Sequence, residues 1–296
     1  MVRIISILIL VSIAAVQGAN AEEVKLQHGQ LTLNANLEKA DSWPAGPTLL
    51  ITHGTLSHNK NEITTALQEL FLDNDMSSLA INLSLGLNDR HGPYDCATPH
   101  KHKHEDAVAE INAWLGWLKE SGATHVVLPG HSRGGNQTAW FAAEHDDEVI
   151  KKVILVAPQT WSEEYAAGSY ENSYGKPLAP VLKEAESLVA AGKPGTALAH
   201  TDFIYCKDTM ASAEAVVSYY GPEPRLDTPY LLPKINKPVL VFAGTEDQVV
   251  KGLDGKLAPL AEAGAIELEM MNGADHSFRD LYAEDLVDRA IEFMNE

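Results

Sequence analysis

Three residue types that could together perform nucleophilic chemistry stand far apart in this chain of 296 residues. A serine sits in Gly130-His131-Ser132-Arg133-Gly134, an aspartate in Gly244-Thr245-Glu246-Asp247, and a histidine in Gly273-Ala274-Asp275-His276. A serine hydroxyl attacks poorly until a base takes its proton, and imidazole serves best when a carboxylate fixes its tautomer and balances its charge. Each of the three follows a short segment read as a strand, an apolar run in the case of Ser132 and Asp247, so each is expected at the carboxyl end of a strand. His276 is the only histidine after Asp247. Glu246 and Asp275 are alternative carboxylates, and the spacing favours Asp247. Gly130 and Gly134 lack the Cβ atoms that would keep a strand and a helix apart on either side of Ser132.

Strand ends can converge only if a sheet holds them in register. Alternation of Val24, Leu26, Leu31 and Leu33 around His28-Gly29-Gln30 predicts an antiparallel hairpin over residues 22–39. Short apolar runs predict strands at 48–52, 78–83, 125–128, 153–156, 238–242 and 266–270. Between them, helical spacing predicts helices over 61–72, 105–119, 135–143, 253–263 and 283–294. Strands alternating with helices imply an α/β fold with a mostly parallel central sheet and helices on both faces. The alternation lapses over about 159–233. Helical patterns at 178–191 and 210–219 there predict a helical cap inserted over the carboxyl ends of the strands.

Gly130-His131-Ser132-Arg133-Gly134-Gly135, Gly244-x-x-Asp247-x-x-Val250 and Gly273-x-x-His276-Ser277-Phe278 together resemble the three signature regions of the α/β-hydrolase superfamily, in its chain order of serine, acid and histidine. The resemblance runs from residue 48 to the C-terminus, interrupted by the cap. It implies the α/β-hydrolase fold, Ser132 as nucleophile, His276 as general base and acid, Asp247 as orienting carboxylate, and no cofactor. It also implies an oxyanion hole. One donor would be the backbone N–H of Arg133. The other would come from His53-Gly54-Thr55-Leu56, which resembles the His-Gly motif of many esterases and lipases without their longer glycine run. Thr55 is preferred over Leu56 for that donor.

Residues 4–16 are apolar but for two serines, follow Arg3 and precede Ala19-Asn20-Ala21. This pattern predicts a signal peptide over 1–21, too short to span a membrane comfortably. The expected mature chain is one domain, 22–296, exported to the periplasm or secreted, with no integral membrane span. Forty-one acidic against 22 basic residues give a net charge of −19, which argues against nucleic acid as a partner. Cys96 and Cys206 are either a disulfide, as an oxidising compartment permits, or two separate buried thiols.

His91, His100, His102 and His104 invite a metal reading. The interleaved Lys101 and Lys103 would repel a cation, no carboxylate or cysteine stands at a metal-binding spacing, and a solvated loop is the expectation. The Arg133 side chain could face either an acidic group of a substrate or a carboxylate of the cap or the nearby loop. Tyr165, Tyr170, Tyr174, Tyr219 and Tyr220 either line an acyl pocket or pack the cap.

The expected function is hydrolysis of a carboxylic ester, a small-molecule acyl substrate, through an acyl-enzyme on Ser132. The same residues could serve a thioesterase, an amidase or peptidase, an acyltransferase, or a lyase or cofactor-free peroxidase. A binding protein that keeps the fold without turnover is the competing class, because fold alone does not choose an activity.

Overall fold

The computed structural model describes residues 21–296, so all but the last residue of the expected signal peptide lies outside the described residues. The chain opens with β1 (Glu22–His28) and β2 (Leu31–Glu38), followed by β3 (Thr48–Thr52), α1 (Glu62–Asp73) and β4 (Ser77–Asn82). Next come α2 (Asp106–Glu120), β5 (Val126–His131), α3 (Arg133–Glu144) and β6 (Ile150–Val156). A cap segment holds α4 (Glu163–Tyr174), α5 (Ala179–Ala190), β7 (Ala197–Phe203), β8 (Cys206–Ser212), α6 (Ala213–Tyr220) and the single turn α7 (Thr228–Leu231). The chain closes with β9 (Val239–Gly244), α8 (Leu253–Glu262), β10 (Glu267–Met271) and α9 (Leu281–Asn295).

The central sheet has the order β1-β2-β4-β3-β5-β6-β9-β10. β1, β2 and β4 pair antiparallel, and every pairing from β4 through to β10 is parallel. Successive side chains of a strand point to opposite faces, and both faces here are covered. Leu50, Leu128, Leu155 and Val241 pack with Ile111, Trp114 and Leu118 of α2 and with Trp140 and Phe141 of α3. Their neighbours Leu49, Ile51, Val127, Ile154 and Phe242 face the other way, onto Leu67 and Phe71 of α1 and Leu286 and Phe293 of α9. This division explains why β3 reads as a continuous apolar run: all five of its residues are buried. Asn61 starts α1 by accepting the Thr64 N–H on its side chain, which satisfies one of the helix's unpaired donors.

The cap departs from the expected helical insertion. Residues 210–212, expected in a helix, belong to strand β8, which pairs antiparallel with β7; α6 begins only at Ala213. The turn between the strands is Ile204-Tyr205, both at positive φ (28° and 73°), without the glycine or asparagine that normally marks such a turn. β7 buries its residues in an irregular pattern, so no clean period of two was there to read. α4 was also not anticipated. It buries little besides Ala166 and Tyr170, one helical turn apart. A disulfide joins Cys96 to Cys206 at the tip of the hairpin. Beside it, His100 bridges β8: its N–H donates to Met210 O (2.7 Å), and its carbonyl accepts from Ser212 N (2.8 Å). No helix among the described residues is long and apolar enough to cross a membrane.

One buried acid ties α2 to the end of β4. Glu110 accepts the Ser84 N–H (2.8 Å) and hydroxyl (2.5 Å), yet burial pushes its pKa up to about 7 from 4.5. The folded protein therefore keeps a proton that the unfolded chain sheds above about pH 4.5, and stability falls as pH rises to 7. Glu110→Gln can keep both contacts with Ser84 without titrating. Urea unfolding at pH 5 and pH 7.5 should show a loss on the order of 3 kcal/mol in the parent that the variant lacks. Identical pH dependence in both proteins would refute this account.

Candidate active site

Ser132 occupies the turn between β5 and α3 with φ 57° and ψ −123°. A β-carbon in this region of backbone space costs on the order of 1–3 kcal/mol, so the surrounding structure must enforce it. It does so through hydrogen bonds at both ends of the residue. The Ser132 N–H donates to Val156 O (2.9 Å), while its carbonyl accepts from the N–H groups of Gly135 (3.0 Å), Asn136 (3.3 Å) and Gln159 (2.9 Å). The neighbouring glycines are required by close approach. A Cβ on Gly134 would lie 2.2 Å from His53 O, and one on Gly130 would lie 2.7 Å from Gly134 O.

The Ser132 Oγ is 2.9 Å from His276 Nε2, and His276 Nδ1 is 2.8 Å from Asp247 Oδ2. The other Asp247 oxygen accepts the N–H groups of Val249 (2.7 Å) and Val250 (2.9 Å). Burial acts to raise the Asp247 pKa, but the His276 hydrogen bond and the two N–H donors outweigh it and hold the carboxyl below its ordinary value. Glu246 and Asp275, the alternatives, are exposed, and Asp275 turns a carboxylate oxygen to the Ser277 N–H. His131, just before the serine, donates from Nε2 to the His276 carbonyl (2.8 Å). Desolvation, then the adjacent His276, lower its pKa to about 4, so it acts as a neutral strut.

The Gly54-Thr55 loop faces Ser132 from the end of β3. Neither the Thr55 nor the Arg133 backbone N–H has an acceptor among the described residues, leaving both free for an oxyanion. Thr55 lines the cavity beside Ser132, whereas the Leu56 side chain packs into the cap. Sequence reasoning missed what holds this loop. His53 is buried and pairs Nδ1 with Gly54 O (2.9 Å), while Nε2 accepts from Leu83 N (3.1 Å) and Arg90 (3.2 Å). Burial and the Arg90 charge lower its pKa to about 3, so the imidazole stays neutral and can accept both donors. The Arg90 guanidinium also caps the carbonyls of Leu83 and Ser57. No local motif announces an arginine spent on carbonyl oxygens.

The histidine-lysine stretch is not the solvated loop expected. His100, His102 and His104 are each at most 1% exposed, because the extended backbone turns alternate residues inward and leaves Lys101 outside. His102 lies between His100 (3.2 Å) and the Tyr219 hydroxyl (2.8 Å), and His104 Nε2 meets Asn136 Oδ1 (2.8 Å). His91 stands apart, in an exposed cluster with Glu23 and Asp89. Lys25 already pairs with Asp89 there at 2.5 Å.

Two spaces meet at Ser132. A cavity of about 100 Å³ lies under the cap, walled by Tyr165, Tyr170, Tyr174, Tyr219 and Tyr220, so these tyrosines border it rather than only pack the cap. A wider cleft of about 590 Å³ opens on the α1 side beside His276. Ser132, Thr55, Tyr205 and Val249 border both.

Residues 47–179 match the family model of the alpha/beta hydrolase fold, and residues 201–295 match that of the dienelactone hydrolase family. Solved structures of similar shape include Est1E from Butyrivibrio proteoclasticus, seen with ferulic acid bound. It is 19% identical with a TM-score of 0.64 over 92% of this chain and 100% of that one. The alpha/beta hydrolase GrgF from Penicillium sp. sh18 is 17% identical with a TM-score of 0.65 over 93% and 97%. The Pyrococcus furiosus esterase PF2001 is 16% identical with a TM-score of 0.64 over 94% and 90%. At such identities the likeness concerns the fold. No curated protein sequence matches this chain at a significant level.

The packing around the turn can be tested by one substitution at two glycines. Gly134→Ala should destabilise the protein by about 3 kcal/mol, because backbone carbonyls block the added methyl. Gly168→Ala, inside α4 with nothing within 4 Å of the new atom, should stabilise it by up to about 1 kcal/mol. Denaturant midpoints measure both. Equal shifts would mean that close approach at Gly134 is not what shapes the turn.

Proposed function

Because the chain belongs to the α/β-hydrolase superfamily, we propose that it is a serine hydrolase that cleaves a carboxylic ester through an acyl-enzyme. The observation that carries this reading is the unbroken hydrogen-bonded series Asp247–His276–Ser132 at the mouth of two spaces. His276 Nε2 takes the Ser132 proton as Oγ attacks the ester carbonyl. The developing oxyanion is met by the N–H groups of Arg133 and Thr55. The imidazolium then returns its proton to the departing alcohol. A water deprotonated by the same nitrogen attacks the acyl carbon, releases the acid and restores Ser132. Throughout, Asp247 accepts a hydrogen bond from Nδ1–H, which keeps the proton on Nδ1 and Nε2 facing the serine.

Esters are the substrates to test first, since one structural neighbour is named an esterase and another was seen with ferulic acid. The Cys96–Cys206 disulfide supports export to an oxidising compartment, periplasmic or extracellular.

A chain-length series of p-nitrophenyl esters tests the reading. Ser132→Ala should abolish turnover, and Asp247→Asn should lower kcat by about 10⁴-fold by favouring the wrong tautomer. Parent-like rates in Ser132→Ala would sink the mechanism. A folded parent inert toward every ester would point to amides, thioesters or a binding role.

A further inference from the structure

The charge balance inside the cap-side cavity is the reverse of the balance outside it. The chain carries 41 acidic residues against 22 basic ones, yet among the described residues no Asp or Glu lines this cavity, and Arg133 is the one charged residue that does. The Arg133 side chain reaches in from the first turn of α3. Its Nε donates to Thr55 Oγ1 (3.0 Å), one terminal nitrogen meets His104 Nδ1 (3.1 Å), and the guanidinium lies 4.9 Å from the centre of the Tyr219 ring. All three partners are uncharged: a hydroxyl, an aromatic face and an imidazole that burial holds neutral well below its ordinary titration range. Among the described residues no carboxylate pairs with this arginine, while Arg225, Arg279 and Arg289 all have acidic partners. Both partners fix the plane of the fork, and the remaining N–H donors have no acceptor among the described residues. A planar guanidinium immobilised in this way, its charge unbalanced, suits a second planar group of opposite sign.

We propose that Arg133 selects substrates whose acyl part ends in a carboxylate, so that the enzyme's preferred esters are half-esters of short dicarboxylic acids. The inference rests on the serine-hydrolase reading above and adds the identity of the acyl group. The acyl chain enters the cavity with its free carboxylate on the guanidinium, the ester carbonyl sits at Ser132, and the alcohol portion lies in the open cleft toward His276. Hydrolysis then consumes one water and yields the dicarboxylate and the alcohol. The tyrosine walls add aromatic surface around the methylenes and no competing charge. The anion must approach against a net charge of −19. Affinity is therefore set by the local pair, and added salt should weaken binding at the guanidinium while easing that approach.

The test compares p-nitrophenyl half-esters of succinate, glutarate and adipate with neutral branched esters of the same shape, for example the glutarate half-ester against p-nitrophenyl 5-methylhexanoate. At least one half-ester should exceed its neutral counterpart by about 10–100-fold in kcat/KM, the gain lying mainly in KM. Arg133→Gln should erase that ratio, and Arg133→Lys should keep part of it. The ratio is the readout because the backbone N–H of residue 133 also serves the oxyanion. Neutral esters turned over as well as every half-ester, or a preference that survives Arg133→Gln, would overturn the proposal. Failure of the underlying reading shows itself separately, as ester turnover that persists in Ser132→Ala or is absent from the parent. In that event calorimetry of free succinate, glutarate and adipate with the Ser132→Ala protein decides the anion site alone. Binding that Arg133→Gln removes supports it, and no binding of any of the three overturns it.

Discussion

Everything at the site depends on one backbone turn that an isolated peptide would not keep. Ser132 sits at positive φ without a side-chain cap on α3, and it stays because four backbone partners leave it no alternative. Its N–H is spent on β6, and its carbonyl is shared by the first turn of α3 and by Gln159. Gln159 is where the chain leaves the sheet for the cap, so one carbonyl oxygen anchors Ser132, the helix behind it and the roof above it. The close contact of Gly134 with the carbonyls at the end of β3 sets the separation between the serine and the Gly54-Thr55 loop. That separation follows from packing rather than from any contact between the loop and the serine hydroxyl.

A second constraint is the use of neutral imidazoles as building elements. His53, His104 and His131 are each desolvated and held well below their ordinary pKa. A neutral imidazole donates from one nitrogen and accepts at the other, so it can link a backbone group to a cation or an amide without adding charge. His53 joins the end of β3 to Arg90, His104 joins Asn136 to Arg133, and His131 supports the His276 carbonyl. Around Ser132 the net result is a stiff polar scaffold with few charges. A single carboxylate on His276 therefore meets little competition.

The sheet and the three strand ends were legible because their signals are local. Short strands, broken by glycine and followed by Ser132, Asp247 or His276 in that order, can mean little else in an alternating α/β chain. The cap was less legible. Its hairpin turns at Ile204-Tyr205 without turn residues, and α4 shows only a single pair of buried side chains. His100, His102 and His104 misled because charge was weighed above period. Lys101 and Lys103 made the stretch look solvated, while its spacing of two was the mark of an extended segment with one face inside. The sequence also left open whether the Arg133 side chain finds an acidic partner in the cap, since no local pattern reports what stands across a cavity.

The cap is fastened along both margins, and this bears on the direction of traffic. On one margin the Cys96–Cys206 link and the His100 bridge clamp the hairpin. On the other, Tyr165 is bonded to Val249 and Thr160 to Lys256. The cap is thus held on two edges in this structure. The wide cleft on the α1 side is already open. On the ester reading proposed above, a substrate would enter sideways, acyl end first, as into a slot. In the proposed acyl-enzyme the alcohol half would stay at the threshold and diffuse away while the acyl half is still attached to Ser132. Such a slot is strict about what goes in and indifferent to what trails behind, so on that reading the limits on substrate size would fall on the acid and hardly at all on the alcohol.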